Sequence, residues 1–183
     1  NINHILNSMN IELEQMNLLR DQLFLHQDWL DMDCGIVSEE EVISRIGKRS
    51  SLIPALVIAE LRDTKISLMP IAESLLLMEE ISDAGIDMYC LSNMSRQTYE
   101  YIKNMELFNM FNGIVISGVE GCMKPNKDIF HLVVKRFALE PADTLFIDDS
   151  LPNIETSLGM GLDGFHFKRS DRCYAEIRKL LFC

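Results

Sequence analysis

Thr144-Leu-Phe-Ile-Asp-Asp-Ser150 sets a short apolar run directly before two adjacent carboxylates, and its reading decides the fold. A run this short, bounded by polar residues, has the length of a buried strand rather than of a helix. Two carboxylates side by side at the end of such a strand repel each other, and they stay ionised only with a cation or several donors nearby. The same unit recurs outward from this point. Asn153 to Leu158 has helical spacing, Gly164 to Phe167 is again a short strand, and a last helix runs from Cys173 to Phe182. In the other direction come a helix from Asp128 to Phe137, a strand at Ile114 to Ser117, a helix from Ser95 to Met105 and the strand Ile86-Asp-Met-Tyr-Cys-Leu91. Before them, Ile71, Leu75, Met78 and Ile81 share one face of a helix that ends at Asp83-Ala-Gly85. Strand and helix alternating at this spacing predict an α/β fold: a Rossmann-like parallel sheet with right-handed crossovers and helices on both faces.

Upstream the period changes. Ile5, Met9, Leu13, Met16, Leu19 and Leu23 recur at helical spacing, and Ser38-Glu-Glu-Glu41 reads as an N-cap followed by acidic residues that complement the helix dipole. That helix continues through Val42, Ile43 and Ile46, and Gly47 is expected to close it. The chain therefore divides into a helical module over 1–68 and an α/β core over 69–183, with the hinge near Thr64 to Pro70.

Composition removes several functional classes. The 183 residues carry 28 Asp+Glu against 17 Lys+Arg, a formal charge of -11. Such a surface repels phosphate backbones and anionic lipid heads, so neither nucleic acid nor a membrane surface is an expected partner. No apolar run approaches the roughly 18 residues that span a bilayer. No basic stretch leading into an apolar one opens the sequence, and a cytoplasmic location is expected. Five cysteines without a Cys-x-x-Cys pair fit buried thiols in a reducing compartment. The four histidines lack zinc spacing. Oligomeric state is not legible in the sequence.

In an open parallel sheet, ligands bind at the carboxyl ends of the strands. The residues there are Ser92-Asn93, then Gly118 leading to Lys124-Pro125, then Asp148-Asp149-Ser150. Alone, Ser92-Asn93 reads equally well as a helix N-cap, and a single Lys124 as a solvated lysine. Together they form a complementary set. Asp148 and Asp149 suit a hard cation such as Mg²⁺, while Lys124, Ser92 and Asn93 suit the oxygens of a transferring phosphoryl group.

Tyr-Cys-Leu-Ser-Asn at 89–93, Lys-Pro-x-x-x-Ile-Phe at 124–130 and Leu-Phe-Ile-Asp-Asp-Ser-x-x-Asn-Ile at 145–154 resemble the second, third and fourth motifs of the haloacid dehalogenase superfamily, in order and spacing. The branches most similar have a small helical cap after the first strand, as in sugar-phosphate phosphatases and the phosphatase domain of soluble epoxide hydrolase. Trp29 to Glu41, with Asp33-Cys-Gly-Ile-Val-Ser, is similar to part of that cap. The resemblance implies a Mg²⁺-dependent phosphohydrolase of a small phosphorylated metabolite, working through an aspartyl-phosphate. It further implies that Ser92 and Asn93 bind phosphate, that Lys124 braces phosphate and nucleophile, and that Asp149 ligates the metal with Asp148 beside it. The family's nucleophile and general acid/base form an Asp-x-Asp at the end of a central first strand. Asp31-Met-Asp33 has that spelling but follows a helical stretch and precedes the cap-like Gly-Ile-Val-Ser. The nucleophile is therefore expected upstream of residue 1, on roughly 20 to 35 further residues.

Two other protein classes share parts of this pattern. A receiver-type signalling domain also combines an acidic pair, a hydroxyl and a lysine, but its acidic pair comes first and its lysine last. An inactive relative that binds metal and phosphate without a nucleophile fits these motifs equally. Gly159-Met-Gly-Leu-Asp-Gly164 spells a dinucleotide fingerprint, yet it follows a helix and precedes a strand, the reverse of what phosphate binding requires. It is expected to be a helix C-cap and turn.

Overall fold

A computed structural model of the protein describes residues 12–49, 58, 61, 65–66 and 68–182. Ile5, Met9 and Thr64 lie outside these. The helical part comprises α1 (Leu13–Leu19), a π-helical turn (Arg20–Phe24), α2 (Gln27–Asp33) and α3 (Glu39–Arg49). Their apolar faces close on a cluster of Leu19, Leu23, Phe24, Met32, Val37, Val42, Ile46 and Leu61. Asp28 is buried beside this cluster, and burial pushes its carboxyl up. The guanidiniums of Arg45 and Arg49 more than offset that and hold it below the usual range. Ser38 caps α3 as expected, its hydroxyl accepting from the Glu41 N–H at 3.2 Å. Gly47 does not end that helix. α3 runs on to Arg49, whose side chain is tied to Asp28 and to Gln22, and these contacts outweigh the roughly 1 kcal/mol penalty of an interior glycine.

After α4 (Ala72–Asp83) the chain alternates through β1 (Tyr89–Ser92), α5 (Arg96–Ile102), β2 (Gly113–Ile116), α6 (Ser117–Glu120), α7 (Lys127–Arg136), β3 (Leu145–Asp148), α8 (Leu151–Leu158), β4 (Asp163–His166) and α9 (Asp171–Phe182). The α/β expectation holds, with shorter strands. β1 starts at Tyr89 rather than Ile86 because its partner starts at Gly113. Just before, the Asn112 side chain accepts from the Met88 N–H at 2.9 Å and the Asn112 N–H donates to the Met88 carbonyl. Both strand pairs are parallel, Ser92 facing Ile116 and Asp148 facing His166.

Among the described residues the four strands form two separate pairs, β1 with β2 and β3 with β4. Ile129, Phe130 and Val133 of α7 form a buried cluster with Val115 of β2, while α4 meets α9 through Leu77, Ile81, Tyr174 and Ile177. The Gly159–Gly164 segment begins with the C-cap of α8 and ends in the first two residues of β4, with a turn between them. Its Leu162 N–H closes back on the Ser157 carbonyl at 3.2 Å, and Gly161 takes a φ of +85°.

Candidate active site

The carboxyl ends of β1 and β3 face each other across a cleft of about 490 Å³, lined by Ser92, Asn93, Lys124, Pro125, Asp148, Asp149, Ser150, Pro152 and Asn153. All five residues singled out from the sequence therefore line one cleft, although 57 positions separate the first from the last.

Lys124 links the two strand pairs. Its side chain is 9 % exposed, and its ammonium donates to the Leu91 carbonyl of β1 at 2.7 Å and to Asp148 Oδ2 at the end of β3 at 2.6 Å. It also lies 5.5 Å from the centre of the Phe146 ring. An ammonium has three donors, and the third is left for an anion in the cleft. The Lys124–Pro125 peptide bond is cis. Asn93 holds this loop in place through a reciprocal pair: its Nδ2 donates to the Lys124 carbonyl and its Oδ1 accepts from the Lys124 N–H, both at 2.9 Å. One amide proton of Asn93 remains for a ligand.

The two carboxylates have different surroundings. Asp148 accepts from Lys124 on Oδ2, and on Oδ1 from the Ser150 N–H at 2.8 Å and Asn153 Nδ2 at 2.9 Å. Burial pushes its carboxyl up, and these donors, Lys124 first among them, more than offset that and hold it below the usual range. Three of its roughly four acceptor positions are thus engaged. The Asp149 carboxylate is exposed and has no hydrogen bond or ion pair among the described residues, while its carbonyl lies 3.1 Å from His166 Nε2. Asn153, 7 % exposed, received no role from the sequence. The signal was its place five residues after Asp148, which on the first turn of α8 turns its amide back onto that carboxylate.

No group of three or more His, Cys, Asp or Glu side chains converges among the described residues. The donor set here fits a hard divalent cation nonetheless: Asp149 is an unengaged oxygen ligand, Asp148 is kept ionised beside it, and Mg²⁺ ordinarily takes one or two carboxylates and fills its shell with waters and phosphate oxygens.

Asp31-Met-Asp33 lies on α2, as its helical context predicts. The Asp33 carboxyl is pushed up to about 6 by burial, opposed by the Ser95 N–H and Trp29. Its folded value lies above its ordinary one, so ionisation destabilises the fold as pH rises from about 4 through 6. Asp33→Asn is expected to stabilise the protein at pH 7.5 by up to about 3 kcal/mol, shrinking to nothing near pH 4. Urea unfolding at both pH values checks this, and a variant that keeps the parent's pH dependence would refute it.

Among known proteins the chain is similar to a sesquiterpene phosphatase of Aspergillus oryzae, 26% identical over 86% of this chain and 81% of the relative. It is also similar to a drimenol cyclase of Aspergillus calidoustus, 23% identical, of which it spans 30%. Among solved structures, a HAD-family enzyme of Bacteroides thetaiotaomicron superimposes with a TM-score of 0.71 at 19% identity, covering 96% of this chain and 89% of that one. The same enzyme is known in complex with magnesium and inorganic phosphate, where the TM-score is 0.66 at 19% identity over 88% of this chain and 89% of that one. The family described as haloacid dehalogenase-like hydrolase matches residues 37–161, which include β1 to β3 and every residue of the cleft; the chain belongs to the haloacid dehalogenase-like hydrolases.

Proposed function

We propose that the complete protein is a Mg²⁺-dependent phosphatase of a small phosphorylated metabolite. The observation that carries this reading is the Lys124 bridge, with one ammonium proton free toward a cleft that also holds an unengaged carboxylate and the Ser92 and Asn93 side chains. Ser92, Asn93 and Lys124 would bind the non-bridging oxygens and offset charge as it builds on them. Asp148 would keep Lys124 aimed at the cleft, and Asp149 would hold the cation with Asp148 beside it. Bound Mg²⁺ would neutralise phosphate charge. The helical module over 1–68 would act as a cap that excludes water and selects the leaving group.

The nucleophile belongs, in this reading, to a strand between β1 and β3. Both strands have one edge unpaired among the described residues, and the aspartate ending a strand inserted there would lie beside Lys124. Its carboxylate would attack phosphorus, the alcohol oxygen would leave with the bonding pair, and water would then hydrolyse the aspartyl-phosphate. The sesquiterpene phosphatase relative makes a prenyl phosphate the first metabolite to try.

The test compares two proteins on p-nitrophenyl phosphate and farnesyl phosphate, one beginning at Asn1 and one extended upstream by a strand ending in Asp-x-Asp. Mg²⁺-dependent phosphate release is expected from the extended protein alone. Release by the shorter chain that Asp31→Asn removes would move the nucleophile to α2, and no release by either would leave the binding-protein reading.

A further inference from the structure

Ser117 is the first residue after β2, has no solvent exposure, and takes no part in the cleft. Its hydroxyl joins two elements remote in sequence. It accepts from the Met94 N–H at 3.0 Å and donates to the carbonyl of Asp33 at the end of α2, 84 residues away. The next residue completes the hold, the Gly118 N–H donating to the Met94 carbonyl at 3.1 Å. Both backbone groups of Met94 are therefore fixed by residues 117–118, and Met94 follows directly on Ser92-Asn93.

The three backbones meet with no room for a side chain. A Cβ on Gly35 (φ +73°) would stand 2.5 Å from the Gly118 carbonyl oxygen, and one on Gly118 would stand 2.5 Å from the Arg96 nitrogen and 2.7 Å from the Met94 oxygen. A hydroxyl has one proton to donate. When the Asp33 carbonyl is in place it takes that proton; when it moves away the alternative acceptor is the Met94 carbonyl at 3.3 Å, already engaged by Gly118. Reaching it requires the hydroxyl to turn, which disturbs its hold on the Met94 N–H.

We propose that Ser117 is a positioning residue, through which seating of the α2–α3 turn on the core sets the shape of the phosphate-binding loop at 92–95. This rests on the reading of Ser92 and Asn93 as phosphate-binding groups. Binding energy gained when the helical residues seat over a substrate is thereby passed to the phosphate loop, and phosphate in turn favours the seated arrangement.

The experiment uses the full-length protein with Mg²⁺, inorganic phosphate as the probe, and two readouts: phosphate affinity by calorimetry and amide exchange at Met94, Ser95, Gly35 and Ile36. Gly35→Ala unseats the α2–α3 turn from the core, because its Cβ would stand 2.5 Å from the Gly118 carbonyl oxygen. It is expected to speed exchange at Met94 and Ser95 and to weaken phosphate about tenfold, a usual size for coupling between sites. Ser117→Ala does the same, Ser117→Thr restores parent behaviour, and the double variant Gly35→Ala/Ser117→Ala is no weaker than Ser117→Ala alone. Unchanged loop exchange in Gly35→Ala, or effects that multiply in the double variant, would overturn the proposal. A reciprocal measurement needs no altered turn: phosphate should slow Gly35 and Ile36 exchange in the parent and not in Ser117→Ala. Equal slowing in both also overturns it. If phosphate fails to bind the parent, the phosphatase reading fails, while loop exchange in Gly35→Ala still decides the coupling.

Discussion

Replacing Lys124 with methionine is expected to cost about 3 kcal/mol of stability at neutral pH and to lower turnover of the full-length protein by roughly a hundred- to a thousandfold. The stability loss follows from the bridge. Methionine fills much of the volume but strands Asp148 as a buried charge and frees the Leu91 carbonyl, so both strand pairs lose their common partner. Ser150 and Asn153 still donate to Asp148, which keeps the cost at the lower end for a broken buried pair. The pH dependence gives an independent check. In the parent the Asp148 carboxyl is held below its ordinary value, so its contribution is complete above about pH 4 and is lost as pH falls through the folded value. In Lys124→Met the unpaired, buried carboxyl is pushed up instead, and stability should rise on going from pH 7 to pH 5. Lys124→Met/Asp148→Asn should recover at least half of the loss with no recovery of turnover. Urea titrations at pH 5 and 7 measure both, and a loss below 1 kcal/mol with the parent's pH profile would show that the bridge does not join the strand pairs.

Asp149→Asn should abolish Mg²⁺-dependent turnover and leave the fold intact. The carboxylate has no protein partner among the described residues, so nothing is broken when it is neutralised, and the charge it shares the strand end with is relieved of a like neighbour. Without Mg²⁺ the variant should unfold at the same temperature as the parent or higher. With Mg²⁺ the two should separate: the parent gains stability with the logarithm of cation concentration, and the variant stays flat. An equal gain in the variant, or turnover that survives in excess chelator, would remove Asp149 from the cation site. Asp149 is thus expected to matter for chemistry alone, whereas Lys124 matters for both chemistry and folding.

The sequence by itself determined what short spacings can determine. Apolar runs of strand length before Ser92 and Asp148, helical spacing between them, and the N-cap at Ser38 depend on neighbours a few residues away, and each is seen in the structure. The rule that ligands gather at strand carboxyl ends then brought Ser92, Asn93, Lys124, Asp148 and Asp149 to one cleft. Where the prediction slipped, a remote partner had intervened. Gly47 lost its role as a helix end to Arg49, tied to Gln22 and Asp28, and β1 shortened to fit a strand that begins at Gly113. The division of labour at the site was likewise illegible. Asp148 and Asp149 are the same residue type at adjacent positions, and only the tertiary structure turns one onto Lys124 and Asn153 and leaves the other open. Asn93 shows the same limit, since its amide faces a lysine backbone 31 residues on. The meeting of Asp33, Met94 and Ser117 left no pattern in the chain, because a single hydroxyl between two backbones has no periodicity. Local chemistry names the groups that can act. Long-range packing decides which of their hydrogen bonds are already made, and therefore which group is left for a ligand.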